Sequence, residues 1–199
     1  MAEAETVTVA ALGDSLTQGF GLPPNDGFVP QLQAWLDGQG ADVRMINAGV
    51  SGDTTAGGLS RIEWTLTSEV DALIVGLGGN DLLRGIDPAA SRANLSGILQ
   101  VAEVRGLPVL LVGVEAPSNY GAEYKAAFDA MYSELAEEFG ALYHDNFLGA
   151  LLDGKDRQTA LAELMQGDAI HPNATGVALI VADIGPRVVE LIALARAGE

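Results

Sequence analysis

A serine in the first polar segment of the chain, Ser15, has the residue type and setting of a nucleophile. It lies in the stretch GDSLTQGFG, residues 13–21, directly after an apolar run over residues 7–12. This stretch alone is also compatible with a phosphate-binding loop, an acidic metal site or a tight turn. A serine hydroxyl attacks a carbonyl at neutral pH only when a base lies within hydrogen-bond distance and a third group orients that base.

Two histidines are candidates for that base, and their neighbours distinguish them. Asp168 precedes His171 by three residues, so its carboxylate can turn back onto Nδ1 and leave Nε2 facing the serine. His144 lies directly beside Asp145, and adjacent side chains usually diverge. We therefore prefer His171 as the base and assign His144 to a surface turn.

Two further polar segments offer hydrogen-bond donors for the oxyanion that forms during acyl transfer. The stretch NAGVSGDT, residues 47–54, contains Gly52, whose backbone N–H has no side chain to obstruct a substrate. The stretch GLGGND, residues 76–81, contains Asn80, whose amide donates without a charge that would lower the basicity of a nearby histidine. Together with the N–H of Ser15 these are potential donors, each worth roughly 3 kcal/mol of transition-state stabilisation.

The apolar segments of the chain explain how these distant polar segments could meet. Stretches of helical period separate five candidate strands, and this alternation predicts an α/β fold with a parallel sheet covered on both faces. The third and fourth strands are continuous apolar runs and should be central. Ligands bind beyond the carboxyl ends of such strands, which is where the polar segments begin. The candidate strands are residues 6–12, 43–47, 71–77, 108–114 and 141–144.

Apolar residues at helical spacing mark the segments that should cover the sheet. Such stripes run through residues 59–66, 95–102 and, with aromatic side chains, 124–139. Near the end of the chain Asn173 is predicted to cap a helix. Gly185-Pro186 is predicted to break or kink that helix before it resumes.

The four polar segments resemble the sequence blocks of the GDSL, or SGNH, hydrolases, which are named for a Ser, a Gly, an Asn and a His. The matching residues are Ser15 in GDSLTQG, Gly52 in NAGVSGDT, Asn80 in GLGGND and His171 in DAIHPN. Residues 118–140 resemble the corresponding helix of the multifunctional thioesterase/protease/lysophospholipase branch. The resemblance spans most of the chain.

This resemblance implies a three-layer α/β/α sandwich similar to flavodoxin, with about five parallel strands. It implies Ser15 as the nucleophile, His171 as the base and Asp168 as the acid that orients it. The implied oxyanion hole consists of Ser15, Gly52 and Asn80. The implied reaction is the hydrolysis of small to medium acyl or aryl esters through an acyl-enzyme intermediate, with thioesterase or lysophospholipase side activity.

The same resemblance implies no cofactor, and we predict no metal site. In that branch the loop after the Asn block borders the acyl groove, and here this loop covers residues 81–86. Leu83 and Ile86 are therefore the expected acyl contacts. The chain lacks G-x-S-x-G, the nucleophile elbow of the larger α/β-hydrolases, which argues against that fold.

Several of these polar residues also have structural interpretations. Ser15 on its own would be a helix N-cap or a turn residue. Asp14 and Asp81 are predicted to hold their loops by accepting N–H bonds and to have no chemical role. Asp53 and Thr54 are predicted to cap the next helix.

A signalling receiver domain is the nearest alternative from another class, because it shares the doubly wound fold. It would use Asp14 and Asp81 to bind Mg²⁺ around a phosphoryl acceptor. Such a site needs a lysine near the last strand, whereas Lys125 lies inside the aromatic stripe and Lys155 lies well beyond residue 144. A nucleotide-binding loop is disfavoured, because neither GxxxxGK[ST] nor GxGxxG is present. A non-catalytic binding module on the same fold is a further alternative.

The composition limits the classes of partner. The 199 residues include 27 acidic and 10 basic ones, for a formal net charge of −17 at pH 7. This charge repels nucleic-acid phosphates and anionic membranes, so we expect a small-molecule ester as partner and no nucleic acid. The chain has no cysteine, which excludes disulfides, thiolate metal sites and a cysteine nucleophile.

We expect a single hydrolase domain over residues 1–199, because one domain usually has roughly 100–200 residues. No apolar run approaches membrane-spanning length, and residues 1–5 lack the basic and apolar regions of a signal peptide. We therefore expect a soluble protein. It is periplasmic or secreted if a signal peptide has been removed, and cytoplasmic otherwise. Nothing in the sequence predicts the oligomeric state.

Overall fold

A five-stranded parallel sheet forms the centre of the computed structural model, which describes residues 6–152 and 156–198. The strand order is β2-β1-β3-β4-β5, the doubly wound order of flavodoxin. All four pairings are parallel. The prediction of a flavodoxin-like sheet with about five parallel strands is confirmed. The strands are β1 (Val7–Gly13), β2 (Val43–Gly49), β3 (Ala72–Gly76), β4 (Val109–Val112) and β5 (Leu142–His144).

Helices cover both faces of the sheet, which gives the three predicted layers. The helices are α1 (Ser15–Gln18), α2 (Phe28–Gly38), α3 (Thr55–Thr65), α4 (Gly79–Leu83), α5 (Pro88–Val104), α6 (Ala122–Phe139), α7 (Arg157–Leu164) and α8 (Ala174–Ala197). Helices α2 and α8 pack on one face, and α3, α5 and α6 pack on the other. No helix in the described ranges has the length and hydropathy needed to cross a bilayer.

Strand β1 lies between the two hydrophobic cores, one on each face of the sheet, and every one of its residues is buried. Val7, Val9 and Ala11 face α2 and α8, whereas Ala10 and Leu12 face α3 and α5. Side chains of a strand alternate between the two faces, so a strand covered on both sides is mostly apolar, and the buried hydroxyl of Thr8 accepts a bond from Arg44 at 3.2 Å. Each fully buried valine or leucine contributes roughly 1.5–3 kcal/mol relative to an exposed one.

The aromatic stripe of α6 packs into the core, as its spacing predicts. Phe128, Met131 and Leu135 are buried against the sheet, and Tyr124 packs partly buried beside them. Tyr132 is also fully buried, and its hydroxyl donates to the carbonyl of Leu77 at 3.0 Å. That bond satisfies the one polar atom of a large buried ring.

Helix α8 contradicts one expectation from the sequence. Asn173 caps it as predicted, because its side chain accepts the N–H of Gly176 at 3.0 Å. Of the predicted break or kink at Gly185-Pro186, the break is wrong, since the helix runs from Ala174 to Ala197 with Pro186 inside it, and the kink stays a prediction. A Cβ at Gly185 would lie 2.7 Å from the ring of Trp35, so α2 and α8 pack closely here.

The guanidinium of Arg61 links the carboxyl ends of β1 and β2. It donates to the carbonyl of Gly13 at 2.9 Å and to that of Ala48 at 2.7 Å, and Nε donates to Asp53 at 2.6 Å. Of the two residues predicted to cap α3, Thr54 does so by accepting the N–H of Gly57 at 3.2 Å. Asp53 instead pairs with Arg61, so the cluster fixes the strand ends from which the polar segments leave.

The prediction of a surface turn at His144 is wrong. This residue ends β5 and is buried, with its ring turned toward α8. Its Nε2 lies 3.3 Å from Oδ2 of Asp183 but has no hydrogen-bond partner within residues 6–152 and 156–198. The strand therefore directs the imidazole into the interior, although the exposed residue Asp145 follows directly.

Candidate active site

Ser15 begins α1 directly after β1, at the carboxyl edge of the sheet. Asp14 caps this short helix, since its Oδ1 accepts the N–H of Leu16 at 3.0 Å. The end of β2 lies against the same helix: a Cβ at Gly49 would come within 2.3 Å of the backbone N of Gln18. Glycine is therefore required where β2 leaves the sheet, and this contact places the second polar segment beside the first.

The three residues predicted as nucleophile, base and orienting acid form one hydrogen-bonded chain. Nε2 of His171 lies 2.8 Å from Oγ of Ser15, although the two residues are 156 positions apart. Nδ1 of His171 lies 2.6 Å from Oδ2 of Asp168. The other oxygen of Asp168 accepts the N–H groups of Ile170 and His171, each at 3.0 Å. The side chain of Asp168 is thus held by its own loop and holds the imidazole in turn.

The charge state of Asp168 follows from these bonds. The hydrogen bond from the His171 side chain, followed by the backbone N–H groups of His171 and Ile170, lowers the pKa of Asp168 to about 2. The carboxylate is therefore ionised at neutral pH, and a neutral imidazole carries its proton on Nδ1 beside it. Nε2 then presents a lone pair to the hydroxyl of Ser15, which is the arrangement a general base needs.

Phe20 covers the imidazole and was not singled out from the sequence. Its ring centroid lies 4.7 Å from that of His171, and 49% of the residue is exposed. Nε2 of Gln166 donates to the carbonyls of Phe20 and Pro172 at 2.8 Å and 3.0 Å, which ties the serine segment to the histidine segment. The signal in the sequence that could have indicated this role is a large aromatic residue between two glycines in a polar stretch.

The predicted oxyanion donors lie on the wall of the same cleft as Ser15. Gly52 has φ +83°, a left-handed conformation that glycine adopts without strain, and its carbonyl accepts a bond from Arg84 at 2.8 Å. The amide of Asn80 donates to Oδ2 of Asp14 at 3.2 Å. Burial raises the pKa of Asp14, while the bonds from Leu16 and Asn80 oppose that rise. The structure therefore brings Ser15, Gly52 and Asn80 together.

The cleft beside these groups has a volume of about 390 Å³, within the usual range for small-molecule sites. Of the two predicted acyl contacts, Leu83 lies on its wall and is 61% exposed, whereas Ile86 does not line it. The carbonyl of Ile86 instead accepts the hydroxyl of Tyr124 at 2.9 Å. Most of the wall is apolar, and its apolar side chains are Leu16, Phe20, Leu82, Leu83, Val114, Leu148 and Ile170.

A groove of about 480 Å³ lies at the opposite edge of the sheet, near the amino ends of β3 and β4. Its lining includes Asp71, Glu103 and Phe139, and contains neither a serine nor a histidine. The smaller cleft, rather than this groove, contains the hydroxyl of Ser15, the imidazole of His171 and the amide of Asn80.

The two aspartates that a receiver domain would use are engaged in internal hydrogen bonds. Asp14 accepts the N–H of Leu16, and Asp81 accepts the N–H of Thr55 at 2.8 Å, as the structural interpretation predicts. Asp81 also accepts the hydroxyl of Ser91 at 2.9 Å. Within residues 6–152 and 156–198, no cluster of three or more His, Asp and Glu side chains could hold a metal ion.

Comparison with known proteins identifies the family. The sequence profile of the GDSL-like Lipase/Acylhydrolase family matches residues 11–179, which contain all four polar segments. This chain belongs to that family. The esterase TesA of Pseudomonas aeruginosa is 36% identical over 191 residues, covering 96% of this chain and 92% of that protein. Thioesterase 1/protease 1/lysophospholipase L1 of Escherichia coli K12 is 34% identical over 167 residues, covering 83% and 76%.

Solved structures agree with this assignment to the acylhydrolase family. The crystal structure of AlinE4, described as an SGNH-hydrolase family esterase, superposes with a TM-score of 0.76 at 42% identity. The similarity covers 95% of this acylhydrolase and 98% of AlinE4. The resemblance to GDSL, or SGNH, hydrolases predicted from four short segments is therefore confirmed.

Proposed function

We propose that this protein is a serine esterase that hydrolyses small to medium acyl or aryl esters through an acyl-enzyme intermediate. The single observation that carries the proposal is the chain of hydrogen bonds from Asp168 through His171 to Ser15. A hydroxyl, a base and an ionised orienting carboxylate at these distances can generate a nucleophile at neutral pH. The receiver-like alternative is not favoured, because the chain belongs to an acylhydrolase family.

In the proposed first step, Oγ of Ser15 attacks the ester carbonyl while Nε2 of His171 takes its proton. The carbonyl oxygen becomes an oxyanion, and the proposed donors to it are the N–H groups of Ser15 and Gly52 and the second N–H of Asn80. Asn has two amide N–H donors, so its bond to Asp14 leaves one for this role. Collapse of the tetrahedral intermediate breaks the ester C–O bond, and His171 protonates the leaving alcohol.

Water completes the proposed cycle. It attacks the acyl-enzyme carbonyl as His171 takes one of its protons, and the same oxyanion donors act again. The bond from the acyl carbon to Oγ then breaks, and His171 returns its proton to Ser15. The products are a carboxylic acid, an alcohol and the free enzyme.

The walls of the cleft support the proposed substrate class. Leu83, Ile170 and Phe20 present apolar surface to an acyl or aryl group beside Ser15. The net charge of −17 opposes polyanionic substrates such as acyl-CoA. We therefore rank neutral esters first, and propose thioesterase or lysophospholipase activity as secondary. The name of the Escherichia coli relative carries both of these activities.

A combined labelling and turnover experiment tests the proposal. A fluorophosphonate probe should bond covalently to Ser15 with loss of fluoride, and mass spectrometry of the digested protein should locate the label there. p-Nitrophenyl esters of increasing chain length should be hydrolysed faster than acyl-CoA or lysophospholipid. A non-catalytic binding module predicts neither the label nor turnover, so absence of both would reject the esterase proposal.

Activity should fall on acidification, in one step. A protonated His171 cannot accept the proton of Ser15, whereas Asp168 keeps its charge at every pH well above its pKa of about 2. We therefore expect log kcat/KM to decline on acidification with a limiting slope of one proton. Initial rates with a p-nitrophenyl ester measure this profile. A flat profile would require another base, and a limb of two protons would require a second titrating group.

A further inference from the structure

We propose that Asp81 is a positioning residue that fixes the relative placement of two oxyanion donors, Gly52 and Asn80. This inference rests on the proposed ester hydrolysis, because it concerns the geometry of that reaction's oxyanion hole. Asp81 itself does not line the cleft. It would act through the two loops that it joins.

The carboxylate of Asp81 is almost fully buried and makes three hydrogen bonds. Only 1% of the residue is exposed. Oδ2 accepts the backbone N–H of Thr55 at 2.8 Å, and Oδ1 accepts the hydroxyl of Thr55 at 2.5 Å. Oδ1 also accepts the hydroxyl of Ser91 at 2.9 Å. A buried carboxylate with these partners is held in place on both oxygens, because leaving it unpaired would be costly.

The two bonds to Thr55 connect the segments that carry the donors. Thr55 is the first residue of α3 and lies three positions after Gly52. Asp81 follows Asn80 directly in α4. The Asp81–Thr55 pair is therefore a short bridge from one donor segment to the other. One end of the bridge is the first residue of α3, and the other end lies within α4.

Helix α5 supports this bridge from behind, with one hydrogen bond to each side of it. Ser91 donates to Asp81, and Asn94 donates to the hydroxyl of Thr55 at 3.0 Å. Thr55 and Ser91 are both completely buried. Loss of the α5 bonds would weaken the packing but would leave the direct Asp81–Thr55 contact intact, which separates a positioning role from a purely structural one.

Fixed placement matters because oxyanion donors act by being in position before the charge develops. A displacement of about 1 Å in a catalytic group can cost roughly 100-fold in rate. If the bridge between the donor loops loosens, binding of the neutral ester should change little. Stabilisation of the tetrahedral intermediate should fall, which lowers kcat more than it raises KM.

Substitution of Thr55 tests this role more cleanly than substitution of Asp81. Replacing Asp81 would leave several buried donors without an acceptor and could unfold the protein. Thr55→Val keeps the shape and the backbone N–H bond to Asp81 but removes the hydroxyl, and with it the side-chain bond to Asp81 and the bond from Asn94. We expect kcat for a p-nitrophenyl ester to fall roughly 10- to 100-fold, with KM little changed. The rate of inactivation by a fluorophosphonate should fall in parallel.

The matched control is the double variant Ser91→Ala/Asn94→Ala, which also removes two side-chain hydrogen bonds from the same network. It leaves both Asp81–Thr55 bonds in place and should retain kcat within about twofold. Chemical denaturation should nevertheless show that its free energy of unfolding falls about as much as that of Thr55→Val. Thr55→Ser restores the hydroxyl and should recover kcat. Equal kcat losses in the valine and double variants, or no rescue by serine, would overturn the positioning role. Wild-type protein without ester turnover would instead overturn the proposed function.

Discussion

Ser15→Ala is expected to lower kcat for ester hydrolysis by roughly 10⁴- to 10⁶-fold, with a much smaller change in KM. Alanine lacks the oxygen that His171 contacts at 2.8 Å, so no acyl-enzyme can form. The fold should tolerate the change, because Ser15 begins a short helix and alanine has a high helix propensity. The measurement is kcat and KM with a p-nitrophenyl ester, together with the denaturant midpoint of unfolding.

Ser60→Ala is the matched control for that experiment. Ser60 also loses a hydroxyl, but this one is exposed on α3 and donates to the carbonyl of Gly57 at 2.7 Å, outside the cleft. The control should keep wild-type turnover, and it should still be labelled by a fluorophosphonate at Ser15. Wild-type turnover by the Ser15 variant would show that another group forms the acyl-enzyme and would reject the proposed nucleophile.

Two local rules account for much of the site. Parallel strands between helices place the loops after them at one edge of the sheet, which applies to Ser15, Gly52 and Asn80 after β1, β2 and β3. The three-residue spacing from Asp168 to His171 lets the carboxylate reach Nδ1 and two backbone N–H groups of its own loop. Neither rule places His171 beside Ser15, because His171 lies between α7 and α8 and follows no strand; the resemblance to the hydrolase family predicted that contact.

The walls of the cleft depend on packing and were largely beyond prediction. Val114, Leu148 and Ile170 come from segments whose approach to Ser15 is set by tertiary contacts, and no sequence pattern marks their side chains as cleft walls. The proposed acyl contacts show the same limit. Leu83 and Ile86 lie in one short segment, yet only Leu83 reaches the cleft, since the backbone turns after α4.

The two errors in the fold have a common physical origin. At both positions the local sequence favoured a helix break or a turn, but packing against the rest of the chain determined the structure. Pro186 removes a backbone N–H, but α8 stays continuous while Gly185 packs against Trp35. His144, beside an acidic residue and next to a polar stretch, resembles a turn residue. The pairing of Val112 with His144 in the sheet carries it into the interior instead.

Asp168→Asn is expected to lower kcat by roughly 10³- to 10⁴-fold while leaving the fold intact. The asparagine carbonyl can still accept the N–H groups of Ile170 and His171, which keeps the loop closed. Its NH₂ group then faces Nδ1 of His171, where it can only donate. This arrangement favours the tautomer with the proton on Nε2, so the imidazole can no longer accept the proton of Ser15.

Asp156→Asn is the control for the change from aspartate to asparagine. Asp156 also accepts a backbone N–H, since it caps α7 by accepting that of Thr159 at 3.0 Å, but it does not line the cleft. Steady-state kinetics of both variants should show a loss in kcat only for the Asp168 variant, and its KM should stay near the wild-type value because ground-state binding is unaffected. Near wild-type kcat for the Asp168 variant would mean that the imidazole is oriented by other contacts, such as the ring of Phe20 that lies tilted against it. The hydrogen bond at 2.6 Å would then be structural, and the assignment of Asp168 to the triad would have to be withdrawn.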